Sequence, residues 1–389
     1  MNVATLRMLA KQTKRVAKGH PWVFANEVER DDLRALAPGD AVDVRGPDGT
    51  FYGRGIVDPH NQIVCRLFAG QRDDIDDKAF WVRRLKSALE HRTRCYGTRR
   101  DLRLVDAEGD RLPGLTVDRY GHLLRVELDH PGVLKRQETI KEALQEVFDP
   151  RAAVVIRAEG EPEAWFGSIP VVLNIDENGI PLQVDPIAPP RKAHDTSQGD
   201  NRRVLSHLFE GASVLDVYSG SGAWSLAALK AGATSAVAID KAQSACHHIA
   251  DGAEIAGFDQ ELTVVCDEAK HTLELLERKQ KRYDVVILDP PRFAKSRKQA
   301  KRALQGYRDL LILGVTLTKP GGVLITSTRS VHVSSSEYLH QVVSAARNVG
   351  RRLRQIHVGT QAADHPMRPE MPESCKLRCW AFTVTTDVG

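Results

Sequence analysis

The sequence has no apolar run of about eighteen residues and no signal-type apolar stretch, so neither a membrane span nor secretion is expected, and the cytoplasm is the default. Paired cysteine spacing is also missing. Cys65, Cys95, Cys246, Cys266, Cys375 and Cys379 are scattered, and the one close pair, Cys375 and Cys379, lacks a second ligand pair. Neither a disulfide framework nor a metal site follows. A strong charge imbalance is absent too: the formal net charge is +4, so nucleic-acid binding has to be argued from clusters rather than from the total. There is no internal repeat or low-complexity tract. What remains is a chain of 389 residues with 42% apolar content, room for two or three domains with ordinary cores.

Residues 1 to 20 carry Arg7, Lys11, Lys14, Arg15 and Lys18 with no acid, and run directly into "GHPWVFANEV", which reads as folded structure. A basic arm on a domain accounts for them better than a targeting helix. Residues 40 to 70 alternate short β-rich runs with Gly, Pro, Asp and Asn turns, the pattern of a small all-β module. A helix is expected over 77 to 96, with Trp81, Leu85, Ala88 and Leu89 on one side and Arg83, Arg84, Lys86 and Arg92 largely elsewhere. A mixed region from about 100 to 190 holds a strand–turn–strand pattern, a helix near 134 to 148 and a proline-rich connector, "VDPIAPPRKAHD". These features divide the chain at 1–75, 76–190 and 191–389.

From about residue 200, strands alternate with helical stretches, which predicts an α/β unit: a parallel sheet covered on both faces. Seven strands are expected, at 213–218, 235–240, 262–266, 283–288, 322–328, 353–359 and 377–385, with helices between the first six. The first ends in "VLDVYSGSGAW", where Asp216 closes the strand and Tyr218, Gly220 and Gly222 lead into a helix. Ligands of such sheets sit beyond the carboxyl ends of the strands, where glycine lets backbone approach closely. The third glycine of a dinucleotide fingerprint is missing, as is the Lys-Ser/Thr pair of a phosphate loop, which disfavours a dehydrogenase or an NTPase. An acid at that strand end suits a ligand bearing an ammonium group. Asp240, ending the second strand, is placed for a ribose diol, and Asp267, ending the third, for the exocyclic amine of adenine. Each acid alone is as readily a helix cap; together they outline a nucleoside with an amino-acid tail.

This combination resembles the class I S-adenosylmethionine-dependent methyltransferases, with their seven-stranded Rossmann-like sheet. It implies S-adenosylmethionine as cofactor. The fourth strand ends in "LDPPRFAKSR", where the resembling enzymes carry Asn/Asp-Pro-Pro and contact the target base through side chain and carbonyls. Asp289, Pro290 and Pro291 are the catalytic candidates on that ground, with Asp289 also lining the cofactor pocket. Arg292, Lys295, Arg297, Lys298, Lys301 and Arg302 follow with no acid among them. Cations there suit phosphates that position an RNA strand, although a charge run is more commonly a solvated face.

Read end to end, "GHPWVFANEV", "DRLPGLTVDRYGHLL", "LDPPRFAKSR…GYRDLL" and "QAADHP…PES" resemble the 23S ribosomal RNA cytosine-5 methyltransferases called large-subunit methyltransferase I. The resemblance implies a PUA-like RNA-binding domain over 1–75, an α+β central domain and a methyltransferase domain. RNA, 23S ribosomal RNA in particular, is then the partner, with no membrane and with a homodimer allowed. Lys11, Lys14, Arg15, His20 and Trp22 become available for RNA contact, Trp22 reading more readily as core.

Two departures stand out. Cytosine-5 methylation needs a thiolate to add at C6, and the family supplies it in a Ser-Cys-Ser context after the fifth strand. This chain reads "TSTRSVH" there, which puts Arg329 where the cysteine should be; Cys375 and Cys379 are the only candidates for a displaced nucleophile. In "AHDTSQGDNRRVL", Gln198, Asp200 and Arg202 match a cofactor-lining segment while Gly199 replaces an Arg. Transfer to a base needing no covalent catalyst, cytosine-5 transfer through a displaced thiol, a non-catalytic RNA-binding or ribosome-assembly role, and a small-molecule methyltransferase all stay open. The last leaves the basic flank and the N-terminal module unexplained.

Overall fold

The computed structural model describes residues 3–157, 160–188, 194–294 and 296–386. They form two compact units: one of residues 1–170 with 363–374, the other of residues 171–362 with 375–389.

In the first unit, a five-stranded sheet runs in the order Ala4–Arg7, Ala41–Arg45, Phe51–Val57, Ile63–Ala69, Trp22–Phe24. Its interior is Leu6, Val23, Val42, Val44, Val57 and Val64, all fully buried. A second five-stranded sheet lies in the order Glu163–Phe166, Ala152–Arg157, Leu123–Leu128, Leu115–Tyr120, Leu102–Asp106. The two share a core in which Ile56 and Phe68 of the first sheet pack with Trp81, Leu85 and Val133. A β-carbon on Gly132 would fall 2.3 Å from Ile56, so only glycine lets these backbones meet.

Helix Lys78–Tyr96 starts where the Asp77 side chain accepts the Ala79 amide (3.0 Å) and ends at left-handed Gly97. Trp81, Leu85 and Ala88 are buried as expected, but so is Arg92, which is 1% exposed. Its guanidinium reaches the Asp110 carboxylate (2.7 Å) and the carbonyls of Arg103 (2.9 Å) and Asp364 (2.7 Å), so it ties the helix to the turn at 107–110 and to the returning segment 363–374.

The second unit is built on a seven-stranded sheet ordered Leu262–Cys266, Ser235–Asp240, Ser213–Val217, Tyr283–Leu288, Thr318–Thr328, Arg378–Thr386, Arg351–Thr360. All seven expected strands are present, with helices Ala223–Lys230, Gln243–Ala256, Ala269–Arg278, Ala300–Leu317 and Ser335–Asn348 between the first six. The expectation of a wholly parallel sheet is corrected: the last strand in sequence inserts between the fifth and sixth and runs antiparallel to both. The chain between the sixth and last strands, residues 361–377, gives its middle part, 363–374, to the first unit and then comes back to pair with the strand it has just left, an antiparallel pairing that needs no crossover over the sheet. The hairpin Leu173–Glu177/Ile180–Val184 packs in this unit, against helices Gln243–Ala256 and Ala223–Lys230. Among the described residues no helix is long and apolar enough to cross a membrane.

Candidate active site

Four neighbouring strands bring their carboxyl ends together, and backbone hydrogen bonds stitch those ends. The Ser219 amide donates to Ile239 O (3.0 Å), Asp267 N to Asp240 O (3.1 Å) and Asp289 N to Val217 O (3.3 Å). Asp216, Asp240, Asp267 and Asp289 therefore stand in one row, as the sequence predicted.

Asp216 is fully buried. Its Oδ2 accepts from Ser219 Oγ (2.5 Å), Ser225 Oγ (2.8 Å) and Ser225 N (3.2 Å), while Oδ1 is buried with no hydrogen-bond partner among the described residues. Burial pushes its carboxyl up to about 6 even though the serines pull the other way. An unsatisfied buried acceptor is costly unless something external meets it. Gln198 Nε2 and Trp224 Nε1, both buried in this unit, are likewise without partners.

The turn after Asp216 holds Tyr218, Gly220 and Gly222 at φ values of 65°, 60° and 75°. A β-carbon at Gly222 would meet Ile249 at 3.1 Å, so the glycine is required both by conformation and by the approach of helix Gln243–Ala256. Tyr218 adopts the same left-handed conformation without being glycine, a local strain of the sort found at ligand-binding turns. Burial lifts its phenol to about 12.

Asp240 braces that turn: Gly220 N donates to Oδ2 (3.0 Å) and Ala242 N to Oδ1 (2.9 Å). A carboxylate accepts about four hydrogen bonds, so capacity for a diol remains. Asp267 is more occupied, taking Glu268 N (2.7 Å), His271 Nδ1 (2.6 Å) and Thr272 Oγ1 (3.2 Å). His271 holds its carboxyl below the ordinary value. Asp267 anchors His271 and Thr272 in the first turn of helix Ala269–Arg278 as well as standing in the row.

Sequence reasoning missed two clusters. Glu177, 1% exposed, pairs with Arg202 (2.6 and 2.7 Å) and with His194 Nε2 (2.8 Å), and His194 Nδ1 meets Ser221 Oγ of the glycine turn (3.0 Å). Arg202 is thus a buried strut for the turn. Asp195 and Asp289 converge on Arg329. Its Nη2 lies 2.5 Å from Asp195 and 3.2 Å from Asp289, its Nη1 also bonds Asp289, and Ser327 Oγ donates to the same carboxylate. The Arg329 side chain is 10% exposed. Burial works against its charge, but Asp195 and Asp289 outweigh that and raise its pKa above the ordinary value. Arg329 is neither a strand-end surface residue nor a free phosphate ligand. No spacing signal links Asp195 to Arg329 or Glu177 to Arg202; one marker was available, the charged residue directly after the apolar and hydroxylic run 323–328.

Pro290 is buried and Pro291 exposed, and neither has an N–H to donate, so the turn after Asp289 offers acceptors. Ala294 N donates to Ser330 Oγ (3.3 Å), which meets Tyr307 OH (3.0 Å), and Phe293 stacks on Tyr307, fixing the chain beyond the prolines. Arg292, Arg297, Lys298, Lys301 and Arg302 are exposed and form no ion pair among the described residues, outside which Lys295 lies. Cys379 faces Ser327 across the sheet but is fully buried, its thiol pKa raised by burial, and half-buried Cys375 is shifted the same way. At the N-terminus, Lys11 and Lys14 are exposed, whereas Arg15 pairs with Glu27 (3.0 Å) and donates to Trp22 O (3.1 Å). His20 is buried against Glu373, and half-buried Trp22 donates to Glu108 (3.1 Å).

A PUA-like domain family matches residues 6–69, and a family described as conserved hypothetical protein 95 matches residues 188–342. The Ribosomal RNA large subunit methyltransferase I of Alteromonas mediterranea is 32% identical over 96% of this chain and 97% of its own length. The chain belongs to that family. A putative SAM-dependent methyltransferase from Streptococcus mutans superposes with a TM-score of 0.84 at 19% identity, covering 98% of this chain and 100% of its own. A putative methyltransferase crystallised with SAH gives the same score at 18% identity and the same coverage. These solved structures share a methyltransferase-like α/β fold with this family member, whose own N-terminal part matches the PUA-like domain.

Proposed function

We propose that the protein is an S-adenosylmethionine-dependent ribosomal RNA methyltransferase, acting on the large-subunit RNA, that methylates a base nitrogen rather than cytosine C5. Family membership supports the coarse activity. The observation that carries the finer one is the Arg329 guanidinium held between Asp195 and Asp289, where a nucleophilic cysteine would stand.

The row of acids fits the cofactor. Asp216, with its unsatisfied buried Oδ1, meets the ammonium of the methionine portion; Tyr218, Gly220 and Gly222 bring backbone close; Asp240 takes the ribose hydroxyls; Asp267 takes the adenine amine. When bound, S-adenosylmethionine supplies an activated methyl group on its sulfonium. The chain's own residues then have mainly to position the base. The Asp289-Pro290-Pro291 turn presents acceptors, which suit an exocyclic amine or ring N–H and do nothing for a carbon. Arg329 and Ser327 fix the Asp289 carboxylate, and Asp289 is the group on that turn able to take the proton the nitrogen sheds. Lys11, Lys14, Arg292, Lys295, Arg297 and Lys298 contact RNA phosphates; Arg15, committed to Glu27, contributes less.

The test is incorporation of radiolabelled methyl from the cofactor into 23S ribosomal RNA, followed by nucleoside analysis. An N-methylated nucleoside is expected. 5-Methylcytidine as the product overturns the nitrogen assignment, and label confined to small metabolites overturns the RNA assignment.

A further inference from the structure

Within the N-terminal unit, two clefts adjoin at Gly70 and Arg111. One is lined by Gly70, Gln71, Arg83, Arg84, Ser87 and Arg111, with Asp73 at its edge. The other is walled by Val16, Pro21, Tyr52 and Leu67, with Arg111 and Arg368 at its rim. Three separate parts of the chain deliver the cations. Arg83 and Arg84 lie on helix Lys78–Tyr96 one turn before Ser87, Arg111 ends the turn at 107–110, and Arg368 arrives on the returning segment 363–374.

The acids present do not neutralise this cluster. Asp73 pairs with Arg83 at 2.9 Å; Glu370 pairs with Arg368 at 2.6 Å and lies 3.9 Å from Arg111. Arg84 donates to Phe68 O (2.9 Å) and lies over the Phe80 ring (5.4 Å), and among the described residues no carboxylate lies within ion-pair distance of it. Burial, and after it the charge of Arg111, holds Arg84 below its ordinary pKa. Arg111 keeps a left-handed φ of 59°, a conformation that asparagine or glycine adopts with less strain. Like charges gathered around one cleft are what an anion would relieve, and a backbone held at positive φ to aim Arg111 there is a feature of ligand sites.

We propose that Arg84, Arg111 and Arg83 hold a backbone phosphate of RNA, with the flanking nucleotide entering the adjoining cleft beside Tyr52. The guanidinium fork matches phosphate oxygens, and an apolar cleft with an aromatic wall next to it fits a nucleotide better than an acidic peptide, which has no flat apolar group to place there. This deepens the RNA-methyltransferase reading and rests on RNA being the substrate.

The experiment measures binding of a labelled 23S ribosomal RNA transcript to the full chain across salt concentrations, for the parent, Arg84→Gln/Arg111→Gln and Ser87→Glu. Ser87 is exposed, so its variant repels phosphate without disturbing a half-buried side chain. Both variants should bind at least tenfold more weakly near 0.1 M salt, with the log–log salt slope reduced by about one. Binding of S-adenosylmethionine should be unchanged. Parent-like RNA affinity and slope in both folded variants overturn the site, as does equal competition by polyglutamate. A parent that binds RNA through these arginines yet transfers no methyl supports the site and defeats the proposed function; a parent that methylates RNA while both variants bind normally does the reverse.

Discussion

Replacing Arg329 with Ala is the sharpest perturbation of the candidate site. The guanidinium is 10% exposed and faces Asp289 at 11% and Asp195 at 23%, so all three charges are largely removed from water. Deleting the cation leaves two carboxylates facing one another, with Ser327 Oγ still donating to Asp289 and Ser197 N and Oγ to Asp195. Breaking a buried ion pair from one side costs about 3 to 5 kcal/mol; partial exposure of Asp195 argues for the lower end, about 3 kcal/mol. For a cooperative unit of about 200 residues, this lowers the melting temperature by roughly 6 to 12 °C. Asp289→Asn in the same background removes one of the two stranded charges and should recover a part of the loss. A thermal-melt double-mutant cycle should therefore give a coupling of at least about 1 kcal/mol between positions 289 and 329. Methyl transfer should fall about a hundredfold, chiefly in kcat, because Asp289 loses its fixed position. A single variant within about 0.5 kcal/mol of the parent, or a cycle additive within that margin, would refute the argument that the guanidinium organises this site.

Asp216 yields a pH dependence. Its folded-state pKa, raised to about 6 from an ordinary 3.8, means the native state holds the proton more tightly than the unfolded chain. Its contribution to stability is thus fully present below about pH 4 and lost as pH rises through about 6. An ammonium ligand needs the ionised form, so cofactor affinity by calorimetry should fall as pH drops through 6, and Asp216→Asn should bind weakly without that dependence; a flat profile in the parent contradicts the assigned contact. Gly222→Ala, at φ 75° and 3.1 Å from Ile249, should destabilise by about 1 to 2 kcal/mol in chemical denaturation and weaken cofactor binding; a neutral effect on both would mean the turn is not held as described. Cys375→Ala combined with Cys379→Ala should leave methyl incorporation within about twofold of the parent, and loss of incorporation in a folded double variant would make a thiol catalytic.

The seven strands and the acid row were legible because both are local signals: apolar runs bounded by turns, four of them closing in or just before an Asp. Strand direction was not, since an apolar run reads identically in either sense; the antiparallel seventh strand depends on a connection whose path no periodicity records. Charge sets Arg92 apart from the apolar side in the sequence, although its spacing from Leu85 and Ala88 puts it there; what makes its burial possible is Asp110 and Asp364, 18 and 272 residues away. The same holds for Glu177 with Arg202 and for Asp195 with Arg329, pairs separated by 25 and 134 residues. Charge pairing at long range has no spacing rule, and it is the part of the site that the fold alone can assemble.

On the proposed reading, in which Arg329 stands where a nucleophilic cysteine would, the position is coupled to its surroundings rather than isolated. A thiolate nucleophile needs neighbouring positive charge to lower its pKa. Here the position faces two carboxylates, Asp195 and Asp289, which would disfavour a thiolate by like-charge repulsion. A guanidinium is the residue those acids accept, and once it is present Asp289 gains a rigid cationic support. Asp195 and Arg329 therefore act as one unit that stiffens the acceptor turn and, if the proposed function holds, leaves no thiolate for addition at C6. If nucleoside analysis finds an N-methylated product, that coupling ties the choice of target atom to electrostatics at the end of the fifth strand; 5-methylcytidine would cut the tie.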